Sequence, residues 1–176
     1  MRTQKVVMML VALAACAAVE GLWAGAQTHT EAKPGKLDID ASKSAIDGKK
    51  IEEILGHKGD GQPGGVFKVT IGRTIKMHDH EVGNMMGINT WASFAGSDDQ
   101  AVCDGDFVMT EQELQPVLKA LRGAGINIVA IHNHMTFEQP RAMFLHFWGI
   151  GSTTDLAKGL EAALDAQNAA GAVHGH

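Results

Sequence analysis

Five strand-like stretches, the clearest of them with apolar residues at every second position, constrain this chain more than any other feature, because a period of two puts successive side chains on opposite faces of a strand. The clearest begins at Val66, where Phe67, Val69 and Ile71 alternate with Lys68 and Thr70. Ile88 to Phe94 and Ala101 to Met109 read as two further strands, joined by the turn Gly96-Ser97-Asp98-Asp99. Ile126 to His134 and Arg141 to Trp148, linked through Thr136 to Pro140, predict an antiparallel hairpin.

Three helical patterns separate these strands. Ile46, Ile51, Ile54 and Leu55 make a short amphipathic stripe that stops at Gly56. Thr110 to Glu113 has capping-box spacing ahead of Leu114, Val117, Leu118 and Leu121, with an end at Gly123 or Gly125. Pro116 conflicts with that helix and predicts either a later start or a kink. A last helix is expected from Thr153 to Ala166, on a stripe of Leu156, Leu160 and Leu164, before a frayed tail over 168–176. Short turns between strands, with helices interspersed, define an α+β single domain: a mainly antiparallel sheet with helices packed on one face. The segment from His57 to Gly65, with four glycines and a proline, is expected to be a loop, and it lacks the phosphate-cradling Gly-rich pattern.

The N-terminus reads as an address. Arg2 and Lys5 precede an apolar run from Val6 to Val19, and Ala24-Gly25-Ala26 offers a small-x-small cleavage site, so residues 1–26 are expected to be a signal peptide. Leu13-Ala14-Ala15-Cys16 offers a competing lipobox cut, which would tether the chain through Cys16. Both cuts stay open, with soluble export favoured. The expected location is therefore the periplasm or the medium, or alternatively a lipid anchor in the cell envelope. A flexible leader over 27–45 precedes a domain over 46–167. Cys103 is the second of two cysteines, so neither cut leaves an internal disulfide, and a buried strand position suits it best. With 15 Lys+Arg against 20 Asp+Glu and a formal charge of -5, the chain lacks the clustered positive charge of a nucleic-acid binder.

Nine histidines form the one constellation with chemical content. His-x-His occurs at His78/His80, His132/His134 and His174/His176. On a strand, residues two apart share a face about 6.5–7 Å from each other, so two imidazoles can converge on one ion. His146 falls on the next strand of the predicted hairpin. Any register whose paired numbers have an even sum puts His132, His134 and His146 together. Three imidazoles without a fourth protein ligand suit an open zinc site, with copper second, whose ion would bring a bound water to a pKa of about 7. Glu138 and Arg141 flank the connecting turn and are the candidate general base, or fourth ligand, and the candidate clamp for a substrate carboxylate. The competing reading makes the histidines half-buried residues satisfied by backbone groups, and Glu138 and Arg141 a solvated ion pair.

His78-Asp79-His80-Glu81, with Met77, Met85 and Met86 nearby, reads first as an exposed polar turn, then as a soft-metal patch or a loop completing the histidine site. Asp98, Asp99, Asp104 and Asp106 lack calcium-loop spacing and read as turn and edge-strand acids. Ser93 and Ser97 lack the nucleophile-elbow context of a serine hydrolase, and no zincin helix motif occurs.

Asn89-Thr90-Trp91-Ala92-Ser93-Phe94, Asp104-Gly105-Asp106-Phe107, Leu114-Gln115-Pro116-Val117, Ala130-Ile131-His132-Asn133-His134 and Phe144-Leu145-His146-Phe147-Trp148-Gly149 carry a resemblance to the bacterial LppY/LpqO family of exported or lipid-anchored proteins, a family of unknown function. That resemblance, over about Ile46 to Ala166, implies export and no reaction. Locally, His132-x-His134 followed by His146 is also similar to the zinc site of acetolactate decarboxylase, although His146 lacks that family's Gly-Gly-His context. It implies a metal-ligand role for the three histidines. Two functions follow as expectations: a metal-dependent hydrolase or lyase, or a non-catalytic envelope protein that binds a metal or small ligand. A third reading keeps the histidines structural, in an interaction module. The expected partner is a small molecule or metal ion, with no nucleic acid and no membrane contact beyond an anchor at Cys16.

Overall fold

A computed structural model describes residues 44–173. The signal segment, Cys16, the leader up to residue 43, and His174 and His176 lie outside the described residues. Within them the chain runs α1 (Gly48–Leu55), β1 (Gly59–Gly61), β2 (Phe67–Gly72), β3 (Ile75–Met77), β4 (His80–Val82), β5 (Asn89–Gly96), β6 (Ala101–Thr110), α2 (Glu111–Gly123), β7 (Asn127–His132), β8 (Glu138–Gln139), β9 (Ala142–Gly151) and α3 (Thr153–Val173). Six strands form an antiparallel sheet in the order β1-β2-β5-β6-β9-β7, and β4-β3-β8 form a smaller one. This is the α+β architecture expected from the alternating patterns.

The helices cover one face of the large sheet. Val69, Phe94, Phe107, Leu145 and Phe147 meet Ile51, Val117, Leu121, Leu156 and Leu160 in one buried cluster. Cys103 is fully buried in the same layer, and burial pushes its thiol well above the ordinary range. Helix α1 starts where Asp47 Oδ1 accepts the Lys49 and Lys50 N–H groups at 3.1 and 3.4 Å. It ends at Gly56, whose φ of 67° suits a residue without a Cβ.

Helix α2 runs unbroken from Glu111 with Pro116 inside it, so the helix starts at the capping box after all. The donor that Pro116 lacks would have served the carbonyl of Gln112, an exposed residue whose carbonyl water can satisfy. Helix α3 passes the expected end at Ala166 and continues to Val173. Two things sustain it: an Ala-rich continuation with high helix propensity, and Gln167, whose Nε2 donates to Val108 O at 2.7 Å and Glu113 Oε2 at 3.2 Å.

The small sheet was not foreseen from the sequence. His78 and Asp79, with φ of 45° and 70°, form the two-residue turn of the β3–β4 hairpin, where positive φ suits the strand twist. Strand β8 then adds to β3, so the link between β7 and β9 is no simple turn. Ile75, Val82 and Ile88 bury Val108, Ala142 and Phe144 of the large sheet's other face in a second apolar cluster. Part of the glycine-rich segment is also a strand, β1, paired with β2.

Candidate functional site

The face of the large sheet opposite the helices carries the histidines. In β7 and β9, Ile128 stands opposite Phe147, whereas after a bulge at Val129 Ala130 stands opposite His146 and His132 opposite Phe144. Opposed residues share a face, so His132 joins His146 on the helix-free side. Asp106 of β6 lies opposite His146 on the other flank, and Trp91 of β5 opposite Asp106. One row across the sheet thus reads Trp91, Asp106, His146, Ala130.

His132 Nε2 and His134 Nε2 face each other at 3.1 Å. The His146 ring stacks on His132 with centroids 5.0 Å apart and planes 8° apart. His134 stacks on Phe144 at 3.5 Å, which fixes the outer member of the pair against the second apolar cluster. His146 Nε2 is 3.9 Å from Asp106 Oδ2. The other carboxylate oxygen, Asp106 Oδ1, is buried without a hydrogen-bond partner.

The electrostatics follow from crowding. Burial lowers the tendency of His134 to take a proton, His132 and His146 lower it further, and Asp106 partly restores it. Burial raises the carboxyl of Asp106 above its ordinary value, against the opposing pull of the three imidazoles and the Leu145 N–H.

Asp106 is the member that sequence reasoning missed. The sequence groups it with the turn and edge-strand acids, yet β6 lies inside the sheet and Asp106 is only 5% exposed. The signal was present in the alternation: Cys103, Gly105 and Phe107 face the helices, so Asp106 must face the other way.

Glu138 and Arg141 are grouped differently from the sequence expectation. They line a depression of about 680 Å³ with Lys76, His78, Asp79 and Phe137, and the three clustered imidazoles are not in its lining. Glu138 is buried, at 6% exposure. Its two carboxylate oxygens have no hydrogen-bond partner, so no ion pair ties it to Arg141. His78 belongs to this depression, while His80 is exposed on β4.

Among the described residues, no set of three or more His, Cys, Asp or Glu side chains is arranged as a ready metal cage. The parallel stacking of His146 on His132 is the local reason: stacked rings present faces, not nitrogens, to each other. The facing pair meets a different test. Two imidazole nitrogens on one tetrahedral zinc, each about 2.0–2.1 Å from it, stand about 3.3 Å apart. His132 and His134 are within a few tenths of an ångström of that spacing, in a cluster whose third ring, His146, is 3.9 Å from Asp106 Oδ2.

Residues 49–166 match the family model described as Domain of Unknown Function (DUF1259), and the chain belongs to that family. No curated protein and no solved structure matches it. Among the described residues no helix is long and apolar enough to cross a membrane.

Proposed function

We propose that His132, His134 and His146 hold a divalent cation, zinc before copper, and that the domain uses it as a metal-dependent hydrolase or lyase acting on a small molecule. The observation that carries this reading is the 3.1 Å approach of the His132 and His134 Nε2 atoms. Two bare imidazole nitrogens at that distance either share one proton or share one cation. The buried Asp106, next to His146 and with Oδ1 unpartnered, favours the cation, because a buried carboxylate oxygen without a donor is a standing cost that added positive charge nearby relieves.

His132 and His134 are the preorganised ligands, and His146 becomes the third by turning its ring out of the stack. Asp106 orients His146 and balances the charge, as carboxylates behind metal-bound histidines commonly do. An ion in this place supplies Lewis acidity and a water of lowered pKa. Glu138 and Arg141 do not share the lining with the histidines, so Asp106 is the better-placed acid or base. The proposal includes an exported location. It is supported by Arg2, Lys5, the apolar run over 6–19 and the Ala24-Gly25-Ala26 site, or the lipobox at Cys16, and by the resemblance to the LppY/LpqO family.

The deciding experiment is elemental analysis of the untagged chain without its export segment, beside a His132→Ala/His134→Ala variant. Near one zinc or copper per chain, lost in a variant that still folds, is the expected result. No bound metal, together with no shift in melting temperature on adding either ion, would overturn the proposal and leave structural histidines.

A further inference from the structure

Strand β7 stops at His132, the last residue with a partner in β9, and His134 sits at a bend beyond it. Had the ladder continued in the register of His132 opposite Phe144, His134 would stand opposite Ala142. Its ring lies instead on Phe144, the residue opposite His132, with planes 9° apart. The chain thus leaves the strand between the two histidines, and the second ring comes back to face the first, Nε2 to Nε2, at 3.1 Å.

Asn133 ties this departure down. Its Nδ2 donates to the Ala142 carbonyl oxygen at 2.9 Å and lies 3.2 Å from Met143 Sδ, a second and weaker acceptor. Ala142 is two residues along β9 from Phe144, past the last pair of the β7–β9 ladder. A side-chain amide therefore takes up a strand acceptor where backbone pairing with β7 has ended, and it comes from the one residue between the two histidines. His132 is held by the ladder and Asn133 by its amide, so the chain enters His134 from two fixed residues. Turn formation does not call for this bond, because the amide reaches across to β9 rather than back to its own turn. Nor does burial, because Asn133 is exposed.

We propose that Asn133 is a positioning residue: its amide holds His134 on Phe144, facing His132, and keeps the pair set for a cation before the cation arrives. Without that bond the segment after His132 samples other conformations. Binding must then first select the facing one, which weakens the apparent affinity in proportion to the fraction that is competent. The role in cation binding rests on the metal reading above, whereas the placement of the ring does not.

The test uses Asn133→Asp, which keeps the shape but replaces the donor by an acceptor, and Asn133→Ala, which removes the group. Asn127→Ala is the comparison, since it breaks the 2.6 Å bond from Arg122 Nη1 at the other end of β7. The metal-free chain is read first, by the ring-current shift that stacking on Phe144 imposes on the His134 ring protons in NMR spectra. Both Asn133 variants are expected to lose that shift, and Asn127→Ala is expected to keep it. Zinc titration comes second. Both Asn133 variants should bind about tenfold more weakly than the unaltered chain, although the added carboxylate of Asn133→Asp would by charge alone favour the ion. A His134 shift that persists in both variants would overturn the inference, and so would zinc affinity equal to that of the unaltered chain. Loss of the shift in Asn127→Ala as well would also overturn it, by making Asn133 one strand anchor among others. An unaltered chain that binds no zinc would overturn the metal reading and the binding role with it, and the ring shift would still decide whether Asn133 places His134.

Discussion

Ala130 stands opposite His146, one step out of phase with Ile128 opposite Phe147. The single extra residue, Val129, lets even-numbered positions face the helices before it and the open face after it. Ile126 and Ile128 thereby pack in the helix-side core, while His132 reaches the row of His146 and Asp106. Bulges commonly serve to re-aim a side chain near a sheet edge, and β7 is an edge strand.

Removing Val129 is therefore expected to be tolerated by the site, against first intuition. Deletion leaves Ile128 opposite Phe147 and Ala130 opposite His146 in a regular ladder, so both faces keep their residues. Inserting one glycine between Ala130 and Ile131 should instead turn His132 toward the helices and abolish zinc binding. Zinc titration of the two variants checks this, and retention of full affinity by the insertion variant would show that the register of His132 against β9 does not set the site.

The histidines should also contribute unequally. Replacing His132 or His134 by alanine removes one half of the facing pair and is expected to weaken zinc binding by about 100-fold or more. His146→Ala and Asp106→Asn act on the stacked ring and its partner, and about tenfold to 100-fold is expected for each. Competition with a chromophoric chelator measures the series, with His57→Ala, an exposed histidine outside the cluster, as the unaffected control.

How much of this was legible depended on the range of the interactions. The large sheet and the stop of α1 at Gly56 follow from local patterns and were readable, whereas at α2 the capping box at Thr110 marked the start and Pro116 argued wrongly for a later start or a kink. The pairing of β7 with β9 was readable as well, and the register beyond the bulge is an even-sum one that puts His132 on the face of His146, whereas His134 lies past the end of β7 rather than on the strand. The bulge was not readable, since strict alternation from Ile126 and Ile128 would send His132 into the helix-side core. Strands β3, β4 and β8 are two or three residues each, too short for a period to emerge, and they are held by tertiary contact with Val108 and Phe144. Glu138 left the expected site because its two-residue strand pairs with Met77 in the other sheet.

Gly105 should tolerate no side chain. It lies in β6 where a Cβ would overlap the Phe147 ring and the Trp91 carbonyl oxygen, neither of which can retreat from a packed core. Gly105→Ala is expected to destabilise the fold by about 1–3 kcal/mol or more through overpacking. The urea midpoint measures the loss; an unchanged midpoint would mean that the ring at Phe147 has room to turn.

Glu113 links the acid stability of the domain to one buried network. It is 3% exposed, accepts from Arg73 Nη2 at 2.7 Å and from the Thr110 N–H at 2.8 Å, and also receives Gln167. Burial alone would raise its carboxyl, but the Arg73 and Thr110 hydrogen bonds, the Arg73 charge and Gln167 outweigh that and hold it below the usual value. A depressed carboxyl binds its proton more weakly folded than unfolded, so the unfolded chain takes up protons first as pH falls. The stabilisation is thus fully present above the unfolded value of about 4.3 and is lost as pH drops through the lower folded value. Glu113→Gln should cost about 2–4 kcal/mol at pH 7, because it leaves Arg73 without its partner and weakens the cap. Urea unfolding of both proteins between pH 3 and 7 would show the gap narrowing below about pH 4.5. A gap that stays constant to pH 3 would mean that Glu113 contributes through packing rather than through its charge.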